Sequence, residues 1–179
     1  MPCLIPIVEG HGDREAVPLL LRKTLVKQGQ HHWKVGQPKR VGNIHHLKRE
    51  MERYLRYAQM EPECGAILLL LDLDDGCPRT EAQDLADQVR KMSCHCPVAI
   101  VFAHREYETW FLASLETVRG THGLPQDLEY TQDPEEKRGV KEWLTAQMPP
   151  GMCYKETFHQ AKFTTLINLD AAKERSRSF

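Results

Sequence analysis

Three short stretches of this chain are almost wholly apolar: Cys3 to Val8, Ala66 to Leu71 and Val98 to Ala103. Continuous runs of that length, bounded by polar residues, suit strands covered on both faces, the signature of a parallel sheet in an α/β protein. Ala66 to Leu71 is expected to be the central strand. Between the runs the apolar residues change to helical spacing. Ile44, Leu47, Met51, Tyr54, Leu55 and Ala58 predict a helix over 44–60. A second helix is predicted over Ala16 to Val26, with Asp13 where an N-cap belongs and Pro18 near the first turn, the place a helix tolerates it. Trp33 and Val35 alternate within 31–41 and predict another strand. Further helices are expected over Thr80 to Met92 and, through Trp110, Phe111 and Leu115, over Glu106 to Leu115.

Beyond Thr117 the pattern weakens. Gly120, Gly123, Pro125 and Pro134 mark a loop over 118–134, a helix follows over Glu135 to Gln147, and Pro149-Pro150-Gly151 breaks it. One or two helices fill Phe158 to Arg175. Alternating strands and helices favour right-handed βαβ units. The expected fold is therefore α/β: a single Rossmann-like domain with a central, mostly parallel sheet flanked by helices. Residues 1–117 form its core, and 118–179 add a loop and a helical C-terminal part packed on the same domain. At 179 residues such a domain has a radius of gyration of about 16 Å and buries roughly 70% of its unfolded surface.

Charge changes this picture little. With 24 Lys plus Arg against 25 Asp plus Glu, no global positive field announces a nucleic-acid partner. A local basic run, Lys39 to Glu50, is explained mostly by the solvated face of an amphipathic helix. Met1 to Val8 is too short for a signal peptide and is interrupted by Pro2 and Pro6, so a cytoplasmic chain with its six cysteines reduced is expected. No apolar run reaches the roughly 20 residues that span a bilayer. Cys94-His95-Cys96 is half of a zinc site at most, since no second pair stands at ligand spacing. Adjacent histidines such as His31-His32 and His45-His46 diverge and share an ion poorly.

The informative residues are acids at strand ends. In an open α/β sheet ligands collect outside the carboxyl ends of the strands. Glu9 and Asp13 follow the first strand, Asp72, Asp74 and Asp75 the central one, and Glu106 and Glu108 the last. If the strand runs on to Asp74, the side chains of Asp72 and Asp74 leave one face with Cα atoms roughly 6.5–7 Å apart, and both reach one cation. Two bare carboxylates about 4 Å apart repel by ~1–4 kcal/mol, so something positive belongs among them. Oxygen ligands select hard ions, Mg²⁺ or Mn²⁺, and two such ions suit phosphoryl displacement. Asp13 serves equally as a helix cap, and Asp75-Gly76 also reads as a turn. Glu9-Gly10-His11-Gly12 lacks the ending of a phosphate-binding P-loop and the third glycine of a dinucleotide fingerprint, and Asp72 to Gly76 is not an EF-hand loop. An Asp-x-Asp after a buried strand also occurs in haloacid-dehalogenase-type phosphatases, where the first Asp is the nucleophile, but that reading leaves Glu9 idle.

VEGHGD after the first strand and LDLDD after the central one resemble the TOPRIM domain of topoisomerases, primases and overcoming-lysogenization-defect (OLD) nucleases. REYETWFLASLE (Arg105 to Glu116), KERSRSF (Lys173 to Phe179) and LLLLDLDDGCP resemble a TOPRIM-like bacterial family of unknown function, over essentially the whole chain. That family usually continues past its Ser-x-Ser-Phe motif. The resemblance implies a metal-dependent nuclease, often encoded beside an ATPase of the OLD or ABC type in anti-phage defence. Glu9 matches the general acid/base or metal ligand, and Asp72 and Asp74 match the metal-binding Asp-x-Asp. Asp13 matches the holder of a second ion, and Glu106, or Glu108, the later acidic ligand. Arg105, Lys162 and Lys173 are candidates for the basic residue that steadies developing charge. Expected partners are therefore DNA or RNA, Mg²⁺ or Mn²⁺, an ATPase and a second copy of the chain. The rival readings are the Asp-nucleophile phosphatase and a non-catalytic subunit that senses nucleic acid or gates the ATPase.

Overall fold

A computed structural model describes residues 1–179. The chain runs through β1 (Cys3–Val8), α1 (Asp13–Lys27), β2 (Lys34–Val35), β3 (Lys39–Arg40) and α2 (Ile44–Gln59) to β4 (Cys64–Leu73). It continues through α3 (Pro78–Val89), β5 (Val98–His104), α4 (Thr109–Ala113), α5 (Leu115–Val118), α6 (Val140–Gln147), α7 (Ala161–Leu166) and α8 (Leu169–Arg175). All strand pairs are parallel, in the order β2-β1-β4-β5, with β3 also on β1. The fold is thus α/β, with a parallel central sheet flanked by helices, as the apolar pattern predicts. No helix is long and apolar enough to cross a membrane.

β4 shows why its sequence reads as an unbroken apolar run. It is an inner strand, covered on both faces, and its side chains divide with period two. Ile67, Leu69, Leu71 and Leu73 join Leu47, Met51 and Leu55 of α2 and Leu85 and Val89 of α3 in one core layer. Leu68 and Leu70 point the other way, into a second layer with Ala16, Val17 and Leu20 of α1 and Trp110 and Phe111 of α4. That second layer also takes in Leu144, Tyr154, Phe163 and Ala172, so the residues after 117 share a core with those before it. The chain's last turn is pinned there. Ser178 Oγ accepts from Trp110 Nε1 (3.2 Å), Glu135 Oε1 accepts from Ser176 Oγ (2.8 Å) and Ser178 N (2.7 Å), and Phe179 stands edge-on to Trp110.

Several boundaries depart from expectation for local reasons. The strand predicted over 31–41 is two dipeptides around Gly36-Gln37-Pro38; a Cβ on Gly36 would stand 2.5 Å from Ile5 Cδ1 and 3.0 Å from Cys3 Sγ. Helix α1 begins at Asp13, with Gly12 in the cap position. The helix predicted over 106–115 starts only at Thr109 and breaks at Ser114. The helix predicted from Glu135 becomes a 3₁₀ turn at Pro134–Glu136, then α6, because Gly139 takes φ +64. The C-terminal helical segment is a π-helical turn, Glu156–Gln160, followed by α7 and α8.

Candidate functional site

The carboxyl ends of β1, β4 and β5 open on a polar cleft of about 200 Å³. Glu9 stands at the end of β1, and its Oε2 accepts from the Asp72 N–H (3.3 Å), tying the first strand's end to the next. Asp72, the penultimate residue of β4, accepts on Oδ1 from the Tyr107 N–H (2.9 Å). That bond depends on Arg105, whose φ of +71 turns the chain sharply after β5. Such a conformation is unfavourable for a residue with a side chain, and here it folds the segment after β5 back onto the end of β4.

Asp13 is buried in the first turn of α1, where its carboxylate accepts from the Gly10 N–H (2.6 Å) and from Gln160 Nε2 (2.7 Å). It is therefore not the N-cap, which is Gly12. Gln160 and Glu156 come from the π-helical turn, a form that often marks functional positions. Gly12 lets that turn approach, since a Cβ there would collide with Gln160 Oε1 and stand 2.9 Å from Glu156 Cβ. Gly12→Ala is expected to push the π-helical turn off Asp13 and cost about 1–3 kcal/mol by overpacking. Thermal unfolding checks it; an unchanged melting temperature contradicts the close approach.

Of the two acids after β5, Glu108 rather than Glu106 lines the cleft. Glu108 is fully buried; its Oε1 accepts from the Tyr154 hydroxyl (2.7 Å), while its Oε2 is buried without a hydrogen-bond partner. Glu106 Oε1 accepts from the Val140 N–H (3.2 Å), at the start of α6, and its Oε2 is likewise unpartnered. Asp74 is exposed beyond the end of β4 and outside the cleft lining, so the shared face expected of Asp72 and Asp74 stops at Leu73. Asp75 is also exposed and pairs with Arg105 (3.2 Å) and Arg138.

None of the three basic candidates lies in the cleft. Arg105 turns to the Asp74 carbonyl and the Asp75 carboxylate, Lys162 sits 3.2 Å over the Phe158 ring, and Lys173 is exposed on α8. The cation there is Lys141, in the first turn of α6. Its Nζ is 2.6 Å from Glu156, 3.9 Å from Glu108 and 4.0 Å from Glu106.

Five carboxylates, Glu9, Asp13, Asp72, Glu108 and Glu156, thus face one ammonium. The electrostatics follow. Burial, then the charge of Glu108 and Asp13, holds Asp72 well above the usual carboxylate range. Burial raises Glu9, Asp13 and Glu106 in the same direction. Burial also pushes Glu108 up to about 7, although Lys141 pulls it down. For Lys141 burial favours the neutral amine, but Glu108, Glu156 and Asp72 outweigh it and raise its affinity for the proton.

These shifts set a sign for stability. A carboxyl whose folded pKa is raised holds its proton where the unfolded chain has released it, so its contribution is present at low pH and lost as pH rises. For Glu108 the loss runs from the ordinary carboxylate range up to about 7. In chelator-treated protein the melting temperature of the wild type is expected to fall from pH 5 to pH 8 relative to Glu108→Gln. Parallel curves for the two proteins contradict the assignment.

The donors are of the kind a hard divalent cation takes: oxygen only, excess negative charge, and an unpartnered buried oxygen on Glu108. No three or more His, Cys, Asp or Glu side chains stand close enough together to hold a metal ion as they are arranged here, and the ammonium of Lys141 stands among the carboxylates. Glu9, Asp13, Asp72 and Glu108 are the residues that would hold an ion. Lys141, Glu156 and Gln160 were not among the sequence candidates.

No curated protein and no solved structure matches this chain. A family model does, over residues 8–179, a span that takes in every wall of the cleft; the chain belongs to the DUF4276 family, a domain of unknown function.

Proposed function

We propose that this chain is a TOPRIM-like, metal-dependent nuclease that cleaves phosphodiester bonds of DNA or RNA. The observation that carries the reading is the convergence of Glu9, Asp13, Asp72 and Glu108 from three strand ends on one cleft. Mg²⁺ or Mn²⁺, when bound, supplies charge neutralisation of the phosphate and a more acidic water. The chain's own groups do the rest. Glu9, raised by burial, is placed to take and return the proton at its Oε atoms. Lys141 Nζ, held charged by its carboxylates, faces the phosphate and offsets charge that develops on its oxygens. Gln160 and the Gly10 N–H fix Asp13, and the Tyr107 N–H fixes Asp72. The likeness of REYETWFLASLE, KERSRSF and LLLLDLDDGCP to an ATPase-linked family extends the proposal to an effector of anti-phage defence beside a partner ATPase.

The test incubates the protein with supercoiled plasmid, single-stranded DNA, tRNA and a phosphomonoester, in Mg²⁺, Mn²⁺ or EDTA, beside Glu9→Ala. Cleavage of a nucleic acid that needs the metal and Glu9 is expected. Cleavage that survives Glu9→Ala contradicts the mechanism, and phosphomonoester turnover with a covalent aspartyl-phosphate on Asp72 selects the phosphatase instead. A second reading draws on Lys141 alone: with its ammonium among the acids, the domain binds nucleic acid or gates an ATPase without turnover. It predicts binding of nucleic acid without cleavage even with the ATPase added.

A further inference from the structure

The opposite end of the sheet gathers sulfur. Cys64 opens β4, and Cys94 and Cys96 lie on the loop that leads into β5, the strand next to it. Cys64 Sγ is 3.8 Å from Cys96 Sγ, and Cys94 Sγ is 3.9 Å from Cys96 Sγ. All three are half-buried and pack against the core layer beneath α2 and α3. Cys3, buried in that same layer, is the register partner of Cys64 across β1 and β4. Four of the six cysteines therefore collect at the amino ends of three adjacent strands, far along the sheet from the carboxylate cleft. The sequence offers only Cys94-His95-Cys96; the fold brings Cys64, 32 residues before Cys96, to it.

Thiolates at about 2.3 Å from a tetrahedral Zn²⁺ stand about 3.8 Å from one another along each edge, and the two separations among these sulfurs are compatible with that edge. Disulfide sulfurs are about 2.05 Å apart, so no bond is formed. Soft sulfur donors favour Zn²⁺ over the Mg²⁺ or Mn²⁺ of an oxygen cleft.

We propose that Cys64, Cys94 and Cys96 form a structural Zn²⁺ site at the amino edge of the sheet, with Cys3 as fourth ligand. Each ligand thiol releases its proton to solvent when its sulfur binds. The metal-free arrangement is not a closed ligand set. The loop carrying Cys94 has to tighten, and Cys3 Sγ has to turn from Gly36, beside which it lies. The ion would tie β1, β4 and β5 together below the core, at the end away from the chemistry.

The full chain, reduced and stripped with chelator, is titrated with Co²⁺ as a spectroscopic stand-in for Zn²⁺, in excess Mg²⁺. The expected result is a thiolate-to-cobalt charge-transfer band with intense tetrahedral visible bands, saturating at about one ion per chain and bleached by Zn²⁺. Cys64→Ser and Cys96→Ser should lose the band, and Asp72→Asn should keep it, which separates this site from the cleft. Should the serine variants not fold, alkylation of the wild type decides: Zn²⁺ is expected to protect Cys64, Cys94 and Cys96 while the exposed Cys77 and Cys153 stay reactive. Absence of the band, its survival in both serine variants, equal labelling with and without Zn²⁺, or a Cys64–Cys96 disulfide in its place would each overturn the proposal.

Discussion

Asp72→Asn is expected to lower metal-dependent cleavage by about 10²- to 10³-fold, the usual effect of removing one electrostatic contributor to a transition state. It is expected at the same time to stabilise the metal-free protein near pH 8 by about 1–2 kcal/mol, because a half-buried charge leaves a site crowded with Glu9, Asp13 and Glu108. For a domain of this size that is a rise in melting temperature of roughly 2–8 °C. The amide keeps the oxygen that accepts from the Tyr107 N–H, so the backbone geometry survives the change. Opposed effects on activity and stability are the signature of a residue kept for binding rather than for packing. A variant that cleaves normally removes Asp72 from the reaction. One that melts lower in chelator says instead that its charge is already compensated.

Lys141→Met is the second large effect, with the opposite sign on stability. The side chain keeps its unbranched apolar stem and loses the one ammonium within the cleft. Removing one partner of a buried pair costs about 3–5 kcal/mol; partial exposure of Lys141 and the exposed side of Glu156 bring the expectation down to about 1–3 kcal/mol. Saturating Mg²⁺ is expected to restore part of the loss, since the ion occupies the same field. Under the proposed function cleavage should fall in parallel, because the cleft loses the one ammonium that would offset charge on a bound phosphate. If the variant instead binds metal more tightly and cleaves as well or better, the ammonium obstructs the ion and does not serve the phosphate. Calorimetric titration of Mn²⁺ against both proteins reads the difference.

The parts of this molecule that are local in sequence were readable from it. The unbroken run Leu68 to Leu71 in β4 announces an inner strand, the spacing of Leu47, Met51 and Leu55 announces α2, and the acids Glu9 and Asp72 stand at strand ends where ligands bind. What depends on contacts between distant residues was not. Gln160 reaches Asp13 across 147 positions, and no pattern near either residue foretells it. The choice of Glu108 over Glu106 turns on the left-handed Arg105, a conformation that an arginine does not advertise. Lys141 did leave a trace. A lysine in the first turn of a helix opposes the helix dipole, which favours acids there. Its cost is offset by carboxylates brought from elsewhere, so a cation at the wrong helix end is a pointer worth following. Gly12 left none: only its φ of −64, which needs no glycine, and the closeness of Gln160 and Glu156 show that the residue answers to a neighbour.

The far side of the cleft has a consequence for how this protein comes into being. Its acids at positions 9 and 13 are made early, but Lys141, Glu156 and Gln160 complete the wall only once synthesis has passed residue 160. Until then Asp13 lacks the amide that holds it and the acids lack their counter-charge. A nascent chain on the ribosome therefore carries the carboxylates without the assembled cleft until the segments bearing Lys141, Glu156 and Gln160 have folded onto them.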